Sequence, residues 1–236
     1  MGRARDPRGL AERLAAALGL DAGDLETVAK RIATGAYSYA GQSCISVQRV
    51  LVHEEIAARF AEALTAATRT FPTGDPASEA VMCGPMITPG DADRIQGWVS
   101  EARASGARPL AEGRRDGSLV SPTLLDRVPE GARVWADEAF APVALLAIYR
   151  TFDEALERVN DSRYGLQAGI FTRDVEKIQK AFVTLEVGAV IQGDIPSWRS
   201  DAMPYGGVKQ SGVGREGPRW AVEEMTEPRL LVLRRG

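Results

Sequence analysis

The chain has 236 residues, of which 44% are hydrophobic and 26% charged, with 29 basic against 32 acidic residues and a formal charge of −3. That is enough apolar material for a packed core, so extensive disorder is excluded. The near-even charge balance excludes a globally basic nucleic-acid binder. The longest apolar run, 141–148 with Pro142 inside it, is too short to span a bilayer, so no membrane partner is expected.

In chain order, residues 9–18 carry a short helical pattern that stops at Gly19. Asp24 is placed to cap a second helix, with Leu25, Val28, Ala29, Ile32, Ala33 and Ala36 at helical spacing as far as about Tyr39. A turn, Gly41-Gln-Ser-Cys44, follows. A buried strand is predicted over 47–52 and an amphipathic helix over 55–69. Asp91 is read as the cap of a helix carrying Ile95, Trp98, Val99 and Ala102. Further on, strands are predicted over 143–149, 167–171 and 187–192, with helices over 153–160 and 174–186. Residues 193–217 read as a long glycine-rich loop, 219–225 as a short helix and 229–233 as a last strand. Strands alternating with helices predict an α/β fold, with a mostly parallel sheet flanked by helices. The final strand is apolar and near the terminus, and such an edge is prone to pair with another chain.

The basic start, Met1-Gly-Arg-Ala-Arg5, is not followed by an apolar stretch, so no secretory signal is expected and the chain is read as cytoplasmic. Two cysteines make no disulfide framework, and in a reducing compartment a free thiol can work as one. With the single histidine, His53, they fall short of a four-ligand zinc site, and no DxDxDG spacing appears, so no metal is expected.

Position alone leaves two readings of Cys44. It is a buried structural thiol, or it is a nucleophile set in a small turn whose backbone N–H groups favour thiolate and an adjacent oxyanion. A cysteine protease is disfavoured because the only histidine, His53, lies at a strand-to-helix edge nine positions away. Cys83 has no activating neighbour in sequence and is assigned to packing, and His53 is assigned no catalytic duty.

Four segments together are similar to the aldehyde dehydrogenase superfamily. Gly41-Gln-Ser-Cys44 resembles its active-site turn, and Glu138-Ala-Phe-Ala-Pro142 its Glu-x-Phe-Gly-Pro segment. Asn160-Asp-Ser-Arg-Tyr-Gly-Leu166 resembles its Asn-x-x-x-Tyr-Gly-Leu run. Gly206-Gly-Val-Lys-Gln-Ser-Gly-Val-Gly-Arg-Glu216 resembles its Gly-Gly-x-Lys-x-Ser-Gly-x-Gly-Arg-Glu loop. The resemblance implies the family's catalytic domain over 24–233, with a segment unlike the family over 1–23. It implies Cys44 as the nucleophile toward an aldehyde, with the Cys44 N–H as an oxyanion donor. It also implies NAD or NADP as hydride acceptor, Glu138 on the nicotinamide ribose, and Phe140 in the nicotinamide pocket. By the same resemblance the chain is expected to form homo-oligomers or to associate with family relatives, through the final strand. Without it, Glu138 reads as a solvated acid and Phe140 as a core aromatic.

Two smaller readings bear on the site. Gly212-Val-Gly-Arg-Glu-Gly217 fits GxGxxG, but no strand precedes it, so it is read as a structural loop in which Lys209 and Arg215 are structural. Arg199, in the segment 195–200 expected to face the substrate, is read either as a contact for an anionic aldehyde or as a surface salt bridge. Gly193 stands where the family usually has Asn, and Ala141 where it has Gly.

Family members also carry an upstream dinucleotide-binding domain, a Glu-Leu-Gly-Gly segment whose Glu is the general base, and an Asn whose amide is the second oxyanion donor. The corresponding window here reads Gly9-Leu-Ala-Glu-Arg-Leu-Ala15, and Glu12 lacks the neighbours that would identify it. A missing oxyanion donor costs roughly 10²–10³ in rate and a missing base roughly 10²–10⁴. The expectation is that the chain alone oxidises aldehydes negligibly. Residues 1–20 are read as the mark of a frameshift, a misplaced start or a gene break. Two functional readings follow: the catalytic part of an aldehyde dehydrogenase, or a non-catalytic remnant that associates with intact relatives.

Overall fold

A computed structural model describes residues 25–236. The helical pattern over 9–18, the Asp24 cap and Glu12 lie outside the described residues. Helix α1 (Leu25–Tyr37) buries Leu25, Val28, Ala29, Ile32, Ala33 and Ala36, the stripe expected from their spacing. A 3-10 turn (Ser38–Gly41) leads through the Cys44 turn into strand β1 (Arg49–His53), and helix α2 (Glu54–Arg69) follows at once. His53 caps α2: its Nδ1 accepts from the Glu55 N–H at 3.4 Å, which leaves Nε2–H to donate to the Arg150 carbonyl at 3.0 Å.

Helix α3 (Pro89–Ala104) starts at a different cap from the one expected. Thr88 is the N-cap, accepting from the Asp91 N–H at 3.1 Å and donating back to the Asp91 carboxylate at 2.7 Å, with Pro89 opening the helix. Then come β2 (Arg108–Ala111), β3 (Arg115–Asp116), β4 (Leu119–Val120), β5 (Thr123–Asp126), the single turn α4 (Arg133–Ala136) and β6 (Val143–Tyr149). The reading of the sequence placed no strand over 108–126. β2 contains Pro109 at a register shift and sits at the sheet edge, and β5 has only four residues, so neither shows a period.

The main sheet runs β1-β6-β5-β2, with β1, β6 and β5 parallel and β2 antiparallel to β5. Along β6, Ala144 and Leu146 point into a core built with α1 and α2, while Val143 and Leu145 point into a second core built with α3 and α4. This double burial explains the continuous apolar run over 143–146, as for parallel strands covered on both faces. The fold is therefore α/β with a mostly parallel sheet between helical layers.

The rest of the chain forms a smaller unit along the β1 side of the cavity described below. It comprises α5 (Phe152–Asn160), β7 (Tyr164–Gly165), β8 (Gln167–Ile170), α6 (Val175–Thr184), β9 (Ala189–Gln192), β10 (Val208–Lys209) and α7 (Pro218–Met225). β8 and β9 pair in parallel, and β10 pairs with β7 antiparallel, so the long glycine-rich loop contains one short strand. α5 is capped by Thr151 and α6 by Asp174, each side-chain oxygen accepting from the first helical turn.

The strand expected over 229–233 is not formed. Residues 226–236 form no strand pairing with other described residues, and Leu230, Leu231, Val232 and Leu233 are exposed. A strand needs the N–H and C=O groups of a neighbour, and no described strand lies alongside to supply them. No helix among the described residues is long and apolar enough to cross a membrane.

Candidate active site

The turn that carries Cys44 is shaped by three successive left-handed residues: Tyr39 at φ 55°, Ala40 at 57° and Gly41 at 65°. Only glycine adopts that region without cost, and here Gly41 also lies against the 138–142 segment. A Cβ at Gly41 would sit 2.1 Å from the Ala141 carbonyl oxygen. Gly41 thus brings the Cys44 turn and the segment Glu138-Ala-Phe-Ala-Pro142 into backbone contact.

Gln48 fixes the other end of that segment. Its Nε2 donates to the carbonyls of Val134 and Asp137, both at 2.7 Å, and its Oε1 accepts from the Ala139 N–H at 2.9 Å. The three hydrogen bonds tie the entry to β1 to α4 and to the loop between α4 and β6. Nothing in the sequence singles out Gln48, because an amide four residues past a cysteine has no motif of its own.

Between these elements lies a cavity of about 480 Å³. Its wall includes Cys44, Glu138 and Phe140 together, so three residues spread over 97 positions share one site. Cys44 is exposed, unlike a packing cysteine. The Cys44 N–H has no hydrogen-bond partner among the described residues, so it is free to serve an incoming oxygen. Glu138 is exposed and makes no hydrogen bond or ion pair among the described residues. Phe140, at φ 44°, is half-buried in the same wall. Its neighbour Asp137 is instead paired with Arg163.

The segment after β9 closes a further side. Ile195 is buried against α1, where Gly35 leaves room for it, and Ser197 Oγ donates to the Ile45 carbonyl at 2.6 Å. Arg31 makes a two-pronged pair with Asp194, at 2.6 and 3.0 Å. Ile195 and Pro196 reach the cavity. Arg199 lies over the Tyr205 ring, 4.1 Å from its centre, and pairs with Glu216 at 3.3 Å. The hydroxyl of Tyr205 is 3.0 Å from the Cys44 sulfur.

The glycine-rich loop is a scaffold around these side chains. Tyr205 and Glu216 exchange two backbone hydrogen bonds that close it. Arg215 donates to the carbonyls of Gly207 and Gly214 at 2.9 and 2.7 Å. Lys209 donates to the carbonyls of Asn160 and Ser162 and pairs with Glu186. A Cβ at Gly188 would sit 1.7 Å from the Gly206 carbonyl oxygen, so the loop also packs backbone on backbone. Contrary to the reading of the sequence, a short strand, β10, does precede Gly212, and α7 starts right after Gly217. β10 has only two residues and pairs antiparallel with β7, so this is not the parallel βαβ unit of a dinucleotide cradle. Both cations serve as internal ties, as read from the sequence.

Cys83 contrasts with Cys44. It is fully buried in the α3 core, and burial pushes its thiol up to about 11.

Residues 15–231 match the model of the aldehyde dehydrogenase family. The 3-sulfolactaldehyde dehydrogenase of Priestia aryabhattai is 45% identical over 210 residues, 89% of this chain and 44% of that protein. The aspartate-semialdehyde dehydrogenase 1 of Pseudomonas canavaninivorans is 40% identical over the same length, covering 89% of this chain and 45% of its own. Among solved structures, aldehyde dehydrogenase 21 of Physcomitrella patens, in complex with its reaction product succinate, superposes with a TM-score of 0.86 at 42% identity. That match covers 90% of this chain and 44% of the other. The glyceraldehyde-3-phosphate dehydrogenase GapN of Methanocaldococcus jannaschii, complexed with NADP, gives a TM-score of 0.82 at 38% identity over 86% of this chain and 44% of its own. The chain therefore spans less than half the length of the relatives it matches.

Two outcomes follow from this geometry. Gly41→Ala costs about 3 kcal/mol, from the left-handed backbone and the overlap with Ala141, and lowers the thermal midpoint by roughly 6–12 °C. Gly97→Ala, in α3 with nothing near its Cβ, gains about 0.5–1 kcal/mol and raises it. Thermal unfolding of both variants checks the pair. With iodoacetamide near neutral pH, Cys44 is alkylated at least about 100-fold faster than Cys83, whose thiol is displaced upward and enclosed. Peptide mapping reads the two rates, and comparable rates would contradict the contrast between the two thiols.

Proposed function

Because this chain belongs to the aldehyde dehydrogenase family, we propose that it carries the nucleophile and part of the cofactor contact for oxidation of an aldehyde to a carboxylic acid. The observation that carries the reading is the meeting of an exposed Cys44 with Glu138 and Phe140 in one cavity, beside an unpartnered Cys44 N–H. In this reading the Cys44 thiolate adds to the aldehyde carbon, forming the C–S bond of a thiohemiacetal. Its N–H donates to the oxygen as that oxygen gains charge. Loss of hydride from the same carbon leaves a thioester, and water then releases the acid and the thiol. When bound, NAD or NADP accepts the hydride.

Whether this chain's residues suit that cofactor is a question of donors and shape. The Glu138 carboxylate is an acceptor without a partner, suited to a pair of ribose hydroxyls, and Phe140 offers a half-buried ring in the same wall. Both fit, and both belong to the nicotinamide end. The fold described here has no βαβ unit with a glycine-rich turn for the pyrophosphate, so binding of the whole dinucleotide draws on the part of the relatives' length that this chain does not match. The aldehydes named for two relatives, 3-sulfolactaldehyde and aspartate semialdehyde, are small and each carry an anionic group, a sulfonate and a carboxylate respectively. A small aldehyde bearing an anionic group is accordingly the substrate class proposed here.

A second reading rests on the exposed apolar residues Leu230, Leu231, Val232 and Leu233. They suit pairing with a second copy or with a family relative, in which case the chain acts as an interaction subunit. Both readings meet one experiment, in which NAD(P)H formation is followed at 340 nm with the purified chain and several aldehydes. Turnover is expected to be negligible for the chain alone, and NAD to bind without saturating. Steady turnover, or clear saturation, would show that the residues present here suffice.

A further inference from the structure

We propose that the Tyr205 hydroxyl donates the hydrogen bond that holds the Cys44 thiolate, which makes Tyr205 a positioning residue for the nucleophile. The proposal deepens the reading of Cys44 given above, but its test needs no turnover. The two atoms are 3.0 Å apart, and the hydroxyl has no other hydrogen-bond partner among the described residues. In the thiol form either atom can donate. In the thiolate form sulfur has no proton, so only tyrosine can. The bond joins residues 161 positions apart.

The ring is held rather than merely near. Tyr205 is buried, and its backbone N–H and carbonyl both bond to Glu216, at 3.1 and 2.6 Å. The Arg199 guanidinium covers one ring face at 4.1 Å and is itself tied to Glu216. A phenylalanine would fill the same space and keep every one of these contacts except the bond to sulfur. Burial, reinforced by the bond to Cys44 and the Glu216 charge and opposed by Arg199, pushes the Tyr205 hydroxyl well above the usual tyrosine range. It therefore stays protonated across the range in which a thiol ionises. The other charged groups lining the cavity are Arg49, Asp137 and Glu138, and Asp137 is paired with Arg163.

The test compares iodoacetamide alkylation of Cys44 in the whole chain and in Tyr205→Phe, from neutral to alkaline pH. Losing a hydrogen bond to a charged acceptor lowers the thiolate population at neutral pH by about tenfold. The freed thiolate is about threefold more nucleophilic. The variant is therefore expected to react about threefold slower at neutral pH and about threefold faster in alkaline solution, where both thiols are ionised. That crossing is a signature that altered packing alone does not produce. A rate ratio that stays constant with pH overturns the role of Tyr205. A Cys44 no more reactive than Cys83 in the unaltered chain overturns the nucleophile itself, so the two failures are distinct. Labelling of Cys83 reports whether the variant has folded. A second measurement needs no substitution: the chain has five tyrosines, and with ¹³C at tyrosine Cζ, ionisation of Cys44 is expected to move one signal. Alkylation of Cys44 is expected to abolish that movement, and no moving signal would overturn the proposal.

Discussion

The site depends on one close approach of backbone to backbone. Gly41 lies so near the Ala141 carbonyl that no side chain fits between them, and the turn reaches that point through three left-handed residues. Two of these, Tyr39 and Ala40, carry a Cβ and so bear a conformational cost of about 1–2 kcal/mol each. The fold offsets it by burying Ala40 and by bonding the Tyr39 N–H to the Met82 carbonyl at 2.9 Å. Strain retained beside an exposed thiol is the pattern expected where backbone shape serves chemistry. A relaxed turn would carry Cys44 away from Glu138 and Phe140.

The main elements were legible because their burial is periodic. α1 shows its stripe at helical spacing, and β6 shows the continuous apolar run of a strand covered on both faces. β2 and β5 were not legible, since four-residue strands with a proline or with no alternation carry no period. The α3 cap was misplaced by three residues because Thr88 and Asp91 bond reciprocally, and either suits a helix start. The strand over 229–233 has the right residues but lacks a neighbour, and pairing is not a property of one segment. At the site, Cys44, Glu138 and Phe140 were legible only through their motifs. Gln48 and Tyr205 were not, because the partners that give them meaning lie about 90 and 161 positions away.

The two most suggestive cations of the glycine-rich loop illustrate how charge is used here. Lys209 and Arg215 sit in a segment that looks made for an anion, yet their donors are spent on main-chain carbonyls and on Glu186. Arg199 divides its role. Its pair with Glu216 is half-exposed and so worth little by itself, but its place over the Tyr205 ring sets it one aromatic ring from the sulfur. Of the two earlier readings of Arg199, the surface ion pair is the one the structure shows, and Arg199 is not part of the cavity wall.

The division of labour across the site then follows from which groups remain unspent. Gln48, Lys209, Arg215 and Asp137 have polar atoms committed to the fold, while in the cavity-lining residues Cys44 and Glu138 the Cys44 N–H and the Glu138 carboxylate have no partner among the described residues and the Cys44 sulfur has one, Tyr205. In the proposed reading the sulfur, the N–H and the carboxylate serve as a nucleophile, one oxyanion donor and an acceptor for sugar hydroxyls. Among the described residues lining the cavity there is no histidine, and the carboxylates are those of Glu138 and of Asp137, the latter paired with Arg163. In that reading the step these groups account for is formation of the covalent adduct on sulfur. For the steps beyond it, hydride transfer and hydrolysis, the proposed reading looks to the part of the relatives' length that this chain does not match.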